Sequence, residues 1–214
     1  MSCPLCLEKK AIQPVVGKDK RKYYWCKNCF LIFVDKKHLP DQESEKERYL
    51  SHDNGQEFPG YVEFLNRAIQ PSLDYIDDSM NGLDYGCGYR PTLSKLLTTY
   101  GIKTYDYDPI FYPKGIKLKE YDFIFATECF EHFFKPKKEL KIIDKLVKPG
   151  GYIVMMTALW ETPKQFKSWH YTRDFTHVVF YHEKTLDYIE KRYHWKRLKT
   201  DDERVFIWKK KRNS

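Results

Sequence analysis

Apolar and polar positions change rhythm twice along the chain. From residue 80 onward, short apolar runs alternate with stretches of helical spacing. Gly82-Leu83-Asp84-Tyr85 reads as a strand ending near its acid, and residues 91–99 as a helix turning Leu93, Leu96 and Leu97 inward. Residues 101–109 read as a short strand, and Tyr121-Asp122-Phe123-Ile124-Phe125-Ala126 as a third. A helix follows over 137–148, stopped by the turn Pro149-Gly150-Gly151, and then a strand over 152–157. The end reads as a helix over 183–193, with Leu186 and Ile189 inward, and two strands over 195–200 and 204–209 joined by Asp201-Asp202. Strands alternating with helices predict an α/β fold with a mostly parallel sheet and a C-terminal antiparallel hairpin. Upstream, Tyr61, Phe64, Leu65, Ala68, Ile69 and Leu73 recur at helical spacing over 59–76, where Pro71 predicts a kink or a break. Residues 39–58 are polar and acidic and read as a connector.

The first strand runs into Asp84-Tyr85-Gly86-Cys87-Gly88. Glycines at this spacing permit a sharp turn and a close approach of ligand to backbone. Alone the pattern is common. Its context is a second acid about 20 residues on, in Tyr105-Asp106-Tyr107-Asp108-Pro109. In nucleotide-binding α/β folds an acid at the end of the second strand accepts ribose hydroxyls. Asp108 is preferred for that role because it stands at the strand's end. Asp106, one strand period away on the same face, is the alternative.

The ordered set LDYGCG, YDYDP, YDFIFATECFEHF and LVKPGGYIVMMT, spanning residues 80–160, resembles the Rossmann-like class I S-adenosylmethionine-dependent methyltransferases. The resemblance implies a cofactor site at Asp84, Gly86, Cys87, Gly88, Asp108, Thr127 and Glu128. It places Glu131 and His132, a candidate general base, on the cofactor side with Thr127 and Glu128, and makes the loop carrying Asp174 and His177 one wall of the acceptor pocket. His177 or His170 would deprotonate the acceptor, with Arg173 and Asp174 pairing to fix the loop. Tyr49 and His52 would close over the methionine end of the cofactor. Only 12 residues separate Asp108 from Tyr121, too few for the helix and strand that usually stand there. Residues 116–118 are read as a vestigial strand, and Phe111, Tyr112 or Leu118 as cover for the adenine ring.

Cysteine spacing adds a second module. Cys3-x-x-Cys6 and Cys26-x-x-Cys29 each form a knuckle, and four thiolates complete a tetrahedral shell around a structural Zn²⁺. Residues 15–18 and 22–25 read as the hairpin between the knuckles and 30–34 as a strand, a pattern that resembles a zinc ribbon. A ribbon ahead of this core is similar to bacterial ribosomal-RNA guanine-N1 methyltransferases, which typically carry histidine where this chain has Cys29. The expected division is a ribbon at 1–38, a connector and helix at 39–79 and the methyltransferase unit at 80–214.

Charge and composition narrow the function less. The net charge of +8 is concentrated at the two ends, residues 1–38 and 191–214, which points slightly to an RNA or other nucleic-acid acceptor. A small-molecule acceptor, or a non-catalytic S-adenosylmethionine-binding interaction protein, are the alternatives. Residues 209–214 read as a frayed tail. No stretch has the apolar length of a membrane span and the N-terminus has no signal-peptide core, so a cytoplasmic location is expected. Nothing in the pattern specifies an oligomeric state.

Overall fold

The computed structural model describes residues 1–212. The N-terminal knuckle leads into β1 (Ile12–Val15), which pairs antiparallel with β2 (Tyr23–Cys26), and β2 pairs with β3 (Ile32–Val34). Leu7 and Phe30 each follow the second cysteine of a pair, and both are left-handed, with φ of 65° and 60°. Such a backbone costs roughly 1–2 kcal/mol for a residue with a Cβ, so the two knuckles share one strained shape. The connector then proves to be partly helical. In α1 (Gln42–Leu50), Asp41 caps the N-terminus by accepting from Ser44 N at 2.8 Å, with Glu43 and Glu45 in the first turn and Arg48 in the last. Capping and dipole complementarity sustain it, because it has no apolar stripe.

Next comes α2 (Pro59–Ser72), burying Leu65, Ala68 and Ile69. Pro71 does not split it. The proline falls in the final turn, one residue before the helix ends, so little remains to disrupt. The turn at Gly86 and Gly88 connects β4 (Asn81–Tyr85) to α3 (Thr92–Thr98), and β5 (Lys103–Tyr107) lies parallel to β4 with Asp84 opposite Asp106. Residues 108–120 form a loop without the expected vestigial strand. The Tyr121 hydroxyl accepts from the Lys117 and Leu118 N–H groups at 2.8 and 3.1 Å, replacing a ladder with one side chain.

The chain continues through β6 (Tyr121–Thr127), α4 (Pro136–Leu146) and β7 (Val147–Met156). Pro149, Gly150 and Gly151 fall within β7 rather than in a separate turn. The pairing with β6 jumps there from Tyr121–Val147 to Phe123–Tyr152, so the three residues form an irregularity in the strand. A short α5 (Pro163–Phe166) and β8 (Val179–Phe180) precede α6 (Glu183–Tyr193) and the hairpin β9 (Trp195–Leu198) and β10 (Val205–Lys210). Lys209 and Lys210 thus belong to a strand, while Asn213 and Ser214 lie outside the described residues.

The main sheet has the order β5-β4-β6-β7-β10-β9, parallel through β7 and antiparallel beyond it. One face packs Phe123, Phe125 and Val154 against Leu65, Ile69, Leu93 and Leu97. The other packs Leu83, Ile124 and Ile153 with Leu140, Ile143, Leu186 and Ile189. This is the expected α/β sheet, and its parallel strands all end on the edge that carries the glycine turn. Among the described residues no helix is long and apolar enough to cross a membrane.

The N-terminal sheet is not a separate bead. Its order is β1-β2-β3-β8, so a strand from residues 179–180 completes it, and Cys3, Cys29 and Leu31 share a core cluster with Phe130 and Tyr181. Arg21 clasps the same junction. Its Nη1 donates to the carbonyls of Phe175 and His177, both at 2.8 Å, and its Nη2 to those of Thr172 at 2.7 Å and Asp174 at 3.2 Å. Lysine keeps the charge but lacks the fork. Arg21→Lys is therefore expected to lower stability by about 2 kcal/mol and to speed amide exchange over residues 172–178. Urea denaturation and hydrogen exchange check this, and unchanged exchange there would show that the clasp holds nothing.

Candidate active site

Two groups of residues meet at the carboxyl ends of the parallel strands. The first surrounds the glycine turn. Gly86 has φ +87°, and a Cβ on it would stand 2.4 Å from the Cys129 sulfur, so both backbone shape and space call for glycine. Gly86 and Cys87 N–H groups donate to the Tyr107 carbonyl, which ties the turn to the end of β5. Asp84 is buried at the end of β4 and its Oδ1 has no hydrogen-bond partner. Asp106, its register partner on β5, also has an unpartnered buried Oδ1. Burial raises both carboxyls above the usual range, and for Asp84 the nearby Asp106 and Asp108 add to it.

Asp108 is differently placed. Its Oδ1 accepts from Ile110 and Phe111 N–H at 2.8 and 3.0 Å, and its Oδ2 from Gly88 N–H at 3.2 Å. Its oxygens are thus occupied by the chain's own backbone. Beside it, Asp106, Phe111 and Tyr112 border a cleft of about 500 Å³.

The second group lies beyond Thr127 at the end of β6. Glu128 is left-handed, with φ 46°, and Arg204 Nη2 reaches both its oxygens at 2.9 and 3.1 Å. The Arg204 guanidinium sits between the rings of Phe64 and Tyr171, 5.5 and 5.6 Å from their centres. Glu131 is fully buried. It accepts from Thr157 Oγ1 at 3.0 Å and from the Tyr171 hydroxyl, which also lies 3.2 Å from Glu128. Burial, with Glu131 adjacent, pushes the Glu128 carboxyl up to about 8 despite Arg204.

His132 and His177 complete this hollow, their ring centres 4.9 Å apart. His132 Nδ1 donates to the Thr176 carbonyl at 3.0 Å and His177 Nδ1 to the Tyr171 carbonyl at 2.8 Å, the neutral tautomers that burial favours. Burial, then the neighbouring His132, lowers His177 to about 3, and burial lowers His132 as well. Tyr49 stacks edge-on against His132 at 5.3 Å, and His52 lies 3.9 Å from Asp174 Oδ2. Asp174 does not pair with Arg173, which is exposed. It accepts from Arg48 Nε and Nη2 at 3.0 and 2.8 Å, and from Thr176 Oγ1 at 2.5 Å. Burial opposes its ionisation, yet the Thr176 hydrogen bonds and the pull of His177 and Arg48 hold it well below the usual carboxylate range. His170 is exposed and makes no hydrogen bond to this group.

A family model described as a methyltransferase domain matches residues 56–196, about two thirds of the chain, including the glycine turn, Glu128, Glu131 and both histidines but not Arg48, Tyr49, His52 or Arg204. The chain belongs to the methyltransferase-domain family. No curated protein matches the sequence. Among solved structures, a chain of the complex between the Haloferax volcanii Trm112 methyltransferase activator and its candidate methyltransferase is 11% identical, with a TM-score of 0.53 over 81% of this chain and 99% of that one. Human N-acetylserotonin methyltransferase, solved with SAM, is 14% identical, with a TM-score of 0.50 over 72% of this chain and 53% of that one. At such identities the likeness is one of fold.

Ahead of the matched domain, the four N-terminal cysteines form one cluster. Cys3 and Cys29 sulfurs lie 3.5 Å apart, as do those of Cys6 and Cys26, well beyond the ~2.05 Å of a disulfide. Several residues of this methyltransferase's site are absent from the sequence motifs. Arg48 stands in the stretch that reads as a connector, Arg204 at the start of the last strand and Phe64 among the apolar positions of the 59–76 helix, while Tyr171 lies in the loop carrying Asp174 and His177 without a role of its own. The one sequence signal for Arg48 is the Asp41 cap followed by first-turn acids, which marks a helix start.

The Tyr171 hydroxyl is the shared support of Glu131 and Glu128. Tyr171→Phe keeps the ring and removes that support, leaving a buried carboxylate oxygen without its donor. The expected cost is about 1–3 kcal/mol. Chemical denaturation of the two proteins checks it, and equal midpoints would mean that the hydroxyl is not needed there.

Proposed function

We propose that this protein transfers a methyl group from S-adenosylmethionine to an acceptor seated in the hollow between Glu128 and His177. One observation carries the reading: two buried carboxylate oxygens, Asp84 Oδ1 and Asp106 Oδ1, stand without donors beside the glycine turn. Leaving a buried acceptor unpaired is costly, and the cofactor brings an ammonium and two ribose hydroxyls. The turn also has room, since a Cβ on Gly88 would touch only the Asn54 amide, at 3.6 Å. When bound, the cofactor supplies an electrophilic methyl group on a sulfonium.

In this reading Asp106 takes the ribose hydroxyls. Asp108, expected in that role, instead holds Gly88 and the 110–111 turn in position. Asp84 faces the ammonium end, and Gly86, Cys87 and Gly88 present backbone to the carboxypropyl chain. Thr127 and Glu128 border the methyl group, with Arg204 fixing Glu128 between Phe64 and Tyr171. His132 and His177, both neutral, line the acceptor's side of the hollow, and in-line attack needs mainly that the nucleophilic atom be aligned with the sulfonium. Asp174 is a positioning residue, holding Arg48 and the 174–177 loop. The basic stretches 1–38 and 191–214 favour a nucleic-acid acceptor over a small molecule.

The four cysteines fit a structural zinc ion. They supply a closed set of sulfur donors, and the strained backbone at Leu7 and Phe30 is accounted for when the knuckles are held by metal. Residues 1–38 then form a ribbon whose stability depends on the ion. Purified protein is expected to contain one zinc per chain, measured by mass spectrometry, and Cys26→Ser to lose it together with a cooperative unfolding transition. Metal-free protein with an unchanged transition would rule the zinc out.

Labelled methyl transfer from S-adenosylmethionine into a cell extract tests the function. The counts are separated into RNase-sensitive, protease-sensitive and low-mass fractions. Label is expected in the RNase-sensitive fraction, with Asp106→Asn lowering incorporation roughly tenfold or more through the lost charge-assisted hydrogen bonds. Label in the low-mass fraction would replace the nucleic-acid acceptor with a small one. Failure to bind S-adenosylhomocysteine in calorimetry would refute the cofactor assignment.

A further inference from the structure

One ligand atom from each of Glu131, His132 and His177 lies within 4.8 Å of the others. Two imidazoles and one carboxylate on one side of a site form a donor set that open-coordinated divalent metals take. The surroundings are built as they are around metal ligands. Each histidine gives its Nδ1–H to a backbone carbonyl, of Thr176 and of Tyr171, which fixes the tautomer and leaves Nε2 without a protein partner among the described residues. The carboxylate is held by two hydroxyls, Thr157 and Tyr171. Such outer-shell hydrogen bonds orient metal ligands and raise their basicity. The charge balance points the same way. Glu128 and Glu131 are buried side by side, and the only cation within hydrogen-bond reach of either, among the described residues, is Arg204, on Glu128 alone.

We propose that Glu131, His132 and His177 hold a divalent first-row transition-metal ion through one carboxylate oxygen and the two Nε2 atoms, with Glu128 beside its open positions. The three ligand atoms, all within 4.8 Å of one another, are already close to the separations that bonds of about 2.1 Å to one ion require. The ion is separate from the cysteine centre in place and in chemistry, because nitrogen and oxygen donors suit manganese or iron where four thiolates suit zinc. Its open positions take an oxygen of the methyl acceptor and lower that oxygen's pKa. This role rests on the methyltransferase reading and narrows the acceptor to one bearing a hydroxyl. The binding of the ion does not depend on that reading.

Mn²⁺ is the probe, since the cysteine centre disfavours it. The full-length protein, with its cysteine centre loaded with zinc, is titrated while the electron paramagnetic resonance signal of aqueous Mn²⁺ is followed. One equivalent per chain is expected to bind. Glu131→Gln and His177→Gln, polar replacements of similar size, are expected to weaken binding roughly tenfold or more. Lys199→Gln, a surface change, is expected to leave it unchanged. Circular dichroism and S-adenosylhomocysteine calorimetry on each variant separate loss of metal from loss of fold or cofactor site. Absence of Mn²⁺ binding by the folded wild type, or equal binding by folded Glu131→Gln and His177→Gln, would overturn the proposal. A wild type that binds Mn²⁺ but not S-adenosylhomocysteine would uphold the metal site and reject the methyltransferase reading.

Discussion

Glu131 sits fully buried where three segments cross, and the site is arranged around its need for hydrogen bonds. Its carboxylate takes donors from Thr157, just beyond β7, and from Tyr171 in the loop that follows. Its backbone carbonyl takes the Val178 N–H, at the entrance to β8. A lone buried carboxylate is among the most costly groups a fold can contain. Satisfying this one therefore fixes the end of β6, the end of β7 and the 170s loop relative to one another. His132 follows Glu131 directly and His177 precedes Val178, so the same contacts determine where both imidazoles point.

That dependence explains what the sequence made legible. The alternating strands and helices of residues 80–210 were readable because each buries an apolar face with its own period. The glycine turn and four cysteines were readable because their chemistry needs fixed local spacing. The connector was misread because α1 is held by its Asp41 cap and charged ends, features that leave no mark in an apolar pattern. Position alone ranks Asp108 ahead of Asp106, and the proposal of Asp106 rests on a different feature. What separates them is which oxygens the backbone has already claimed, and that depends on how the 108–112 turn closes. Arg204 and Arg48 were out of reach for a related reason: each meets its acid across 76 or more residues, and nothing local marks either one.

The cysteine region shows the same contrast at larger scale. Its knuckles and hairpin were visible as a self-contained unit, yet its sheet is completed by β8 and its back is clasped through Arg21. Both partners come from the loop that bears His177. The cysteine region consequently backs the loop that bears His177, and a disturbance at the cysteines has a route to that loop through four carbonyl hydrogen bonds from one guanidinium.

The pairing of β3 with β8 also bears on how the chain is made. About 145 residues separate the two strands. During synthesis at ~5–20 residues per second, the edge of β3 stays open for on the order of ten seconds before its partner emerges. Its residues, Ile32, Phe33 and Val34, are all apolar, and an unpaired apolar edge is a template for the wrong strand, including one from a neighbouring nascent chain. The long-range closure that joins the cysteine region to the methyltransferase domain thus places the period of greatest aggregation risk before residue 179 leaves the ribosome.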